Sequence, residues 1–407
     1  MRRFLLFLSL LPAFLYAQEN ETIPNFRHKG FIDSYHAVRA GGENDYMSSR
    51  SRLRIEGGLE KGNTSGFVSL NAVYNPIVER QTGLFLREAF MEYSNNKWTL
   101  KAGRQIVTWG VADGLQVTDI ISPMDYTEFL AQDYDDIRIP VNAIRLFYGG
   151  LNAKIEAIFV PVPELYRLPT EADNPWCIPF NDANCFMNNN VPEKKIKNSE
   201  FGSRLSAYLN GFDFSVCALR TWNKMPVFVV RGISPENLLL VESQYGRMTM
   251  LGGDLSVSAG KFVIRADVSC YLDALHSPRD FRNFAVKCDD LLSLVGIDWY
   301  PGRDWTVMMQ YCHTYIFGNK QISDYHNSGM ATVNISKALL RNSLKVAAFG
   351  RVDCANDGAF FTRFNADYLL TDDVAITLGY DWFRADSGMF ALYRDNSEVW
   401  AKMKYSF

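Results

Sequence analysis

Arg50, Arg52 and Arg54 stand at alternate positions, with Ser51, Leu53 and Ile55 marking the other face of the same stretch. In an extended chain a period of two puts the three guanidinium groups on one face. Like charges so close are costly unless they meet water, opposite charge or a bound anion. Two roles satisfy that condition: a guide for carboxylate or phosphate solutes, which suit the planar guanidinium fork, or ion pairing with carboxylates that orders a wall. The same alternation turns Lys154, Arg204, Lys261, Arg265, Lys345, Arg363, Lys402 and Lys404 to one face of their own segments. Glu56, Glu156, Asp213, Asp254, Asp267, Asp298, Asp367 and Asp381 are interleaved with them. A mixed-charge face repeated along the chain reads as the lining of an aqueous interior.

Residues 110–138 form an acidic connection, with Asp113, Asp119, Asp125, Glu128, Asp133, Asp135 and Asp136 against Arg138. Folded into the interior, it sets an acidic edge opposite the arginines and constricts passage; as a surface loop it is merely solvated. Divalent-cation binding by Asp133, Asp135 and Asp136 would need a fuller cage of oxygen ligands than these carboxylates display, so no metal and no cofactor is assigned. Seven cysteines are present. Cys177 and Cys185 share one long connection, and a local disulfide is the favoured reading in an oxidising compartment. Cys217, Cys270 and Cys312 read as packing residues within strands, and Cys288 and Cys354 pair only if their connections meet. The five histidines are scattered, and none has the spacing of a zinc ligand. A hydrolase needs a nucleophile or acid beside its histidine. His313 is the best-placed candidate, yet no serine adjoins it in sequence, and the chain does not read as an enzyme.

These residues must be positioned by strands. Alternation marks eighteen segments: 29–39, 48–60, 65–75, 83–94, 97–109, 139–148, 151–160, 200–209, 212–222, 246–258, 261–271, 290–300, 303–316, 328–338, 343–352, 357–370, 373–384 and 395–407. Tight links such as Asn95-Asn96, Gly149-Gly150, Asn210-Gly211 and Ala259-Gly260 alternate with connections that are mostly longer, including 110–138 and 161–199. That parity is the layout of an outer-membrane barrel with short periplasmic turns and long extracellular loops. The last segment carries Val399, Ala401, Met403, Tyr405 and Phe407 on one face, the pattern of a closing strand that the barrel-assembly machinery recognises through Tyr405 and Phe407. Leu53, Ile264, Val374 and Leu378 are expected on the same outward, lipid-facing surface.

The expected fold is therefore an all-β, transmembrane, antiparallel up-and-down barrel of about 18 strands, with 16 the alternative count. Residues 1–17 have the basic start, short apolar core and small final residue of a secretory signal peptide. Residues 18–28 read as a short periplasmic segment and 29–407 as the barrel. The formal net charge of −3 offers no basic surface for nucleic acid.

REAFMEY, LKAGRQIVTWG, ADGLQVTDIISPMD and VPVPELYRLP, between Arg87 and Pro169, resemble the signature of a poorly characterised family of Gram-negative outer-membrane porins. That family is loosely akin to alginate-export and substrate-selective porins. The resemblance implies a cell outer-membrane channel for passive, substrate-selective diffusion of small hydrophilic solutes. It leaves open the solute and the oligomeric state, a homo-oligomer included. A transporter of fatty acids or other hydrophobic compounds would carry a longer amino-terminal hatch and a less charged interior; adhesion through 161–199 and an outer-membrane hydrolase are the remaining alternatives. Arg104, within the GRQ motif, exposes a conflict: alternation from Trp98 turns it to lipid, where a cation costs about 2–4 kcal/mol. A β-bulge near Gly103, adding one residue, is expected to turn it inward as a pore-lining residue.

Overall fold

The computed structural model describes residues 24–41, 45–129, 136–171, 173–177, 185–318, 320–354 and 359–407. The expected signal peptide lies outside the described residues. β1 (Asn25–Arg39), β2 (Tyr46–Lys61), β3 (Thr64–Tyr74), β4 (Gly83–Ser94), β5 (Trp98–Gln105), β6 (Val141–Gly149) and β7 (Ala153–Val160) follow one another around a wall. β8 (Cys185–Asn189) leaves it, and β9 (Glu200–Leu209) and β10 (Phe212–Trp222) resume it. β11 (Val227–Ile233) and β12 (Leu239–Gln244) again stand apart. The wall is completed by β13 (Arg247–Ala259), β14 (Phe262–His276), β15 (Val286–Gly302), β16 (Trp305–Ile316), β17 (Asn327–Leu339), β18 (Leu344–Asp353), β19 (Ala359–Leu369), β20 (Val374–Arg384) and β21 (Glu398–Ser406).

Every neighbouring pair in the wall is antiparallel, and β21 pairs with β1 from Ser406↔Phe31 to Glu398↔Arg39, so the 18-stranded sheet closes on itself. Closure removes the free edges that an open sheet would present. All eighteen expected segments are present. Their ends differ in two informative places. β1 already begins at Asn25, ahead of the expected 29, and β5 stops at Gln105, well short of 109. Val107 and Trp109 continue the apolar alternation but belong to the interior, where both are sealed from solvent.

The turns follow from local chemistry. Gly211 (φ 77°) closes the β9–β10 hairpin and Gly260 (φ 62°) the β13–β14 hairpin; this left-handed backbone is easy for glycine and strained for residues with a Cβ. The outward face is apolar as expected: Ile264, Leu378, Tyr405 and Phe407 are exposed on it, and Leu53 and Val374 are partly exposed. Inward residues are polar or charged where they face cavities and apolar where interior segments pack on them, and much of the interior is filled. The two largest apolar clusters among the described residues join interior segments to the wall. In one, Val107, Trp109, Ile120 and Ile121 pack on Val141, Ile158, Leu219 and Met250. In the other, Phe129, Trp176, Phe390 and Tyr393 pack on Tyr35, Phe361, Phe383 and Trp400. β8 and β12 run parallel and β12 pairs antiparallel with β11, forming a small sheet separate from the barrel.

Candidate functional site

The arginine ladder of β2 is held by carboxylates from two sources. Arg52 reaches Asp33 on the adjoining β1 and, at 3.0 Å, Asp136 of the 106–140 segment. Arg54 donates to Asn71 of β3 at 2.8 Å and to Asp136 at 2.9 Å. Arg50 donates to Glu128 at 3.1 Å. The ion-pairing role is thus realised for all three rungs. Burial pushes the Asp136 carboxyl up, but Arg52, Arg54 and Arg87 outweigh it and hold it well below the usual carboxylate range. A carboxylate so placed between guanidinium groups is poorly suited to a cation. Asp133 and Asp135 lie outside the described residues.

The described parts of this segment, residues 106–129 and 136–140, lie inside the barrel, so of the two readings open to the acidic connection the solvated surface loop does not hold for them. On the far wall the backbone N–H groups of Val111 and Ala112 donate to Asp267 of β14 at 3.2 and 2.9 Å. Asp113 exchanges two hydrogen bonds with Gln310 of β16, through its N–H at 3.2 Å and its carbonyl at 2.9 Å. Arg265 donates to the Val111 carbonyl at 3.3 Å and pairs with Asp298; Tyr271 donates to the Val117 carbonyl at 2.6 Å. At mid-segment Asp119 accepts from the Trp109 N–H at 3.1 Å and pairs with Arg138. Burial raises the Asp119 carboxyl above its ordinary range, with Arg138 working against the shift. Asp125 binds Thr127 and pairs with Arg167 at 3.2 Å. The chain therefore crosses from β14 and β16 to β2, and its burial follows from Val117, Ile121 and Met124, which water would otherwise surround.

Two polar cavities flank this crossing. The larger, about 820 Å³, is lined by Arg50, Arg52, Arg54, Arg80, Arg87, Arg104, Arg138 and Arg167 against Asp125, Asp136 and Glu171. The smaller, about 410 Å³, is lined by Lys101, Arg145, Lys154 and Arg204 against Glu92 and Glu156. Lys154 lies over the Phe147 ring at 4.0 Å, and Arg204 pairs with Asp254 at 2.8 Å. Arg363 and Asp381 face each other across β19 and β20, where Asp381 also accepts from the Trp400 indole at 3.1 Å. They contact the aromatic cluster, with Arg363 over the Phe361 and Trp400 rings, and line neither of these two cavities.

Arg104 reaches the larger cavity, but by another route than a bulge at Gly103. The register runs unbroken through Gly103 against both β4 and β6, and the bulge lies across β3 and β4, with Arg87 as its extra residue. Arg104 donates to the Leu86 carbonyl at 3.2 Å and lies 3.4 Å from Glu164. Arg80, Arg87 and Arg145 escaped the sequence reading. Arg145 shares the alternation of Phe147 and was detectable; Arg87 is displaced by the bulge, and Arg80 lies in a link between strands. The Cys177–Cys185 pairing lies outside the described residues, because the Cys185 side chain is not among them. At the carboxy terminus Phe407 exchanges backbone hydrogen bonds with Gly30 at 2.8 and 2.9 Å, continuing the closure beside Tyr405↔Ile32.

Residues 33–280 match the family described as "Protein of unknown function (DUF1302)". Among solved structures the chain is similar to Pseudomonas aeruginosa OccK3 (OpdO), with TM-score 0.54 and 9% identity, covering 94% of this chain and 96% of that one. Acinetobacter baumannii OccAB4 gives TM-score 0.54 at 8% identity over 96% and 100%. Pseudomonas aeruginosa OccK2 (OpdF), solved in complex with glucuronate, gives 0.53 at 7% over 94% and 97%. At these identities the similarity is one of fold. A 115-residue stretch is 30% identical to the 1,4-alpha-glucan branching enzyme GlgB of Prochlorococcus marinus (strain AS9601), but it covers 27% of this chain and 14% of that enzyme.

Proposed function

The chain belongs to the DUF1302 family, and from that premise we propose that it is an outer-membrane channel for passive diffusion of small hydrophilic anions, carboxylates in particular. One observation carries the reading: eight arginines converge on the larger cavity against three carboxylates in its lining. Asp33, Glu128, Asp119 and Glu164 pair with these arginines from outside that lining, which leaves eight cations against seven carboxylates, a balance still on the basic side. A wall of one sign concentrates the opposite ion in a narrow aqueous space, and the guanidinium fork matches a carboxylate in two-point contact. Lys101, Arg145, Lys154 and Arg204 extend the basic surface on the other side of the crossing segment, so an anion meets a second basic chamber after the first. The glucuronate bound by OccK2 is a small carboxylate on a barrel of the same fold, and it supports the choice of solute class. In this reading residues 1–17 direct export, the long connections face outward and both termini lie in the periplasm.

The test is a reversal potential for the refolded protein in a planar bilayer under a low-salt KCl gradient. Chloride preference is expected, reduced when Arg50, Arg52 and Arg54 are replaced together by Gln. Cation preference in the unaltered protein overturns the proposal.

A further inference from the structure

The β4–β5 ladder holds only from Ala89↔Arg104 to Ser94↔Thr99. Beyond it β5 ends at Gln105 and the chain turns inward, while β4 continues along β3 as far as Gly83. Among the described residues, Gly83 to Glu88 thus have a strand on one side alone. β5 and β7 contain 8 residues each, fewer than the roughly 9–11 that a tilted strand needs to cross a membrane; β4 contains 12. Trp98 and Tyr148, with ring centroids 4.5 Å apart, mark the opposite end of this wall as a rim of aromatic residues does. The shortfall therefore falls at the outer end.

Leu84, Phe85, Leu86 and Arg87 are consecutive, yet all of them line the cavity that holds Arg50, Arg52 and Arg54. Successive strand residues point to opposite faces. One cavity meets them all by passing round the free edge of β4, from the lumen to the outer surface. The bulge at Arg87 bends that edge. Arg104 stands in the gap with its guanidinium on the Leu86 carbonyl, and Leu84 on the outward side is 70% exposed.

We infer that the β4–β5 seam is a lateral opening of the channel toward the outer leaflet and binds a monocarboxylate amphiphile. The carboxylate lies among Arg54, Arg87 and Arg104, and the alkyl chain lies along Leu84 and Leu86. The inference rests on the channel reading for the position of the membrane. Composition selects the occupant: an uncharged hydrocarbon gains nothing from three guanidinium groups, and a tail-less acid gains nothing from two leucines facing outward. Each methylene buried against that edge strengthens binding about three- to fourfold.

The test uses the full barrel in nanodiscs, with empty discs subtracted, titrated with butyrate and octanoate. Octanoate is expected to bind at least about tenfold more tightly. Leu84→Asn with Leu86→Asn removes that difference, and Arg104→Gln weakens octanoate by about tenfold. Equal affinity for the two acids overturns the inference. If the leucine variant fails to assemble, an octanoate analogue with a terminal diazirine is photolysed on the unaltered protein. Label on Gly83 to Arg87 supports the seam, and label confined to β2 or to residues 106–129 overturns it. Conductance without chain-length dependence defeats the seam alone, whereas a barrel that conducts no ions defeats the channel reading.

Discussion

Arg50 on β2 and Glu128 on the segment that crosses the lumen meet at 3.1 Å, with side chains only 10% and 2% exposed. Glu128 also accepts from Ser48, at 3.1 Å. A wall strand and the lumenal segment are thus joined by a pair that water scarcely reaches. Removing one partner of such a pair leaves a buried charge uncompensated and costs roughly 3–5 kcal/mol. Glu128→Gln is expected to lower the unfolding free energy in urea by that order, and adding Arg50→Gln is expected to restore part of it. A double variant as unstable as the sum of the singles would show that the two residues act independently.

Asp136→Asn releases Arg52 and Arg54 from the carboxylate they share. Anion over cation permeability is expected to rise at low salt and to change little at about 1 M, where the screening length falls to about 3 Å. Reversal potentials at both salt concentrations check this. An unaltered low-salt potential would mean that solutes pass out of reach of these arginines.

The pH response of the same contact has a definite sign. The folded Asp136 carboxyl is held below its ordinary value of 3.8 by Arg52, Arg54 and Arg87 acting against burial. The stabilisation it gives is whole above 3.8 and is lost as pH falls through the lower folded value. The part of the channel noise that Asp136→Asn removes is expected to stay level from about pH 8 to about pH 5 and to grow only in stronger acid. A step between about pH 5 and 7 that disappears in Asp136→Asn would contradict the assignment.

Barrel closure depends on Gly30 and Phe407. A Cβ on Gly30 would come within 2.6 Å of the Arg54 carbonyl and 2.7 Å of the Phe407 ring, closer than packed atoms allow. Gly30→Val and deletion of Phe407 are both expected to reduce the heat-modifiable, membrane-inserted fraction several-fold, whereas Phe281→Ala in the β14–β15 connection leaves it near the unaltered level. Equal yields of all three variants on unheated gels would remove the special role of the terminal strand.

Eighteen strands were legible because one-sided apolar patterning has the same period as the pleat, and links such as Asn210-Gly211 announced their turns. The same signal misled at Val107 and Trp109: alternation reports that a residue is buried on one face, not whether lipid or a folded loop covers it. β8, β11 and β12 were invisible for a related reason. With 5 to 7 residues each, they lie within what reads as loop. The ladder of Arg50, Arg52 and Arg54 was legible as a shared face, but its partners were not, since Asp33, Glu128 and Asp136 come from one adjacent strand and one distant segment. Arg104 illustrates the limit most sharply. Its outward register was correctly visible, and only the early end of β5 reveals why an outward arginine is tolerated there.

The crossing of the lumen by residues 106–129 and 136–140 has a mechanical consequence. Bonded to Asp267 and Gln310 at one end and to Arg50, Arg52 and Arg54 at the other, it acts as a tie-rod between opposite walls. A tie-rod under such attachment cannot swing aside like a door without slackening the cylinder around it. The bore is therefore fixed by construction, and any opening and shutting of the passage falls to the connections outside the barrel.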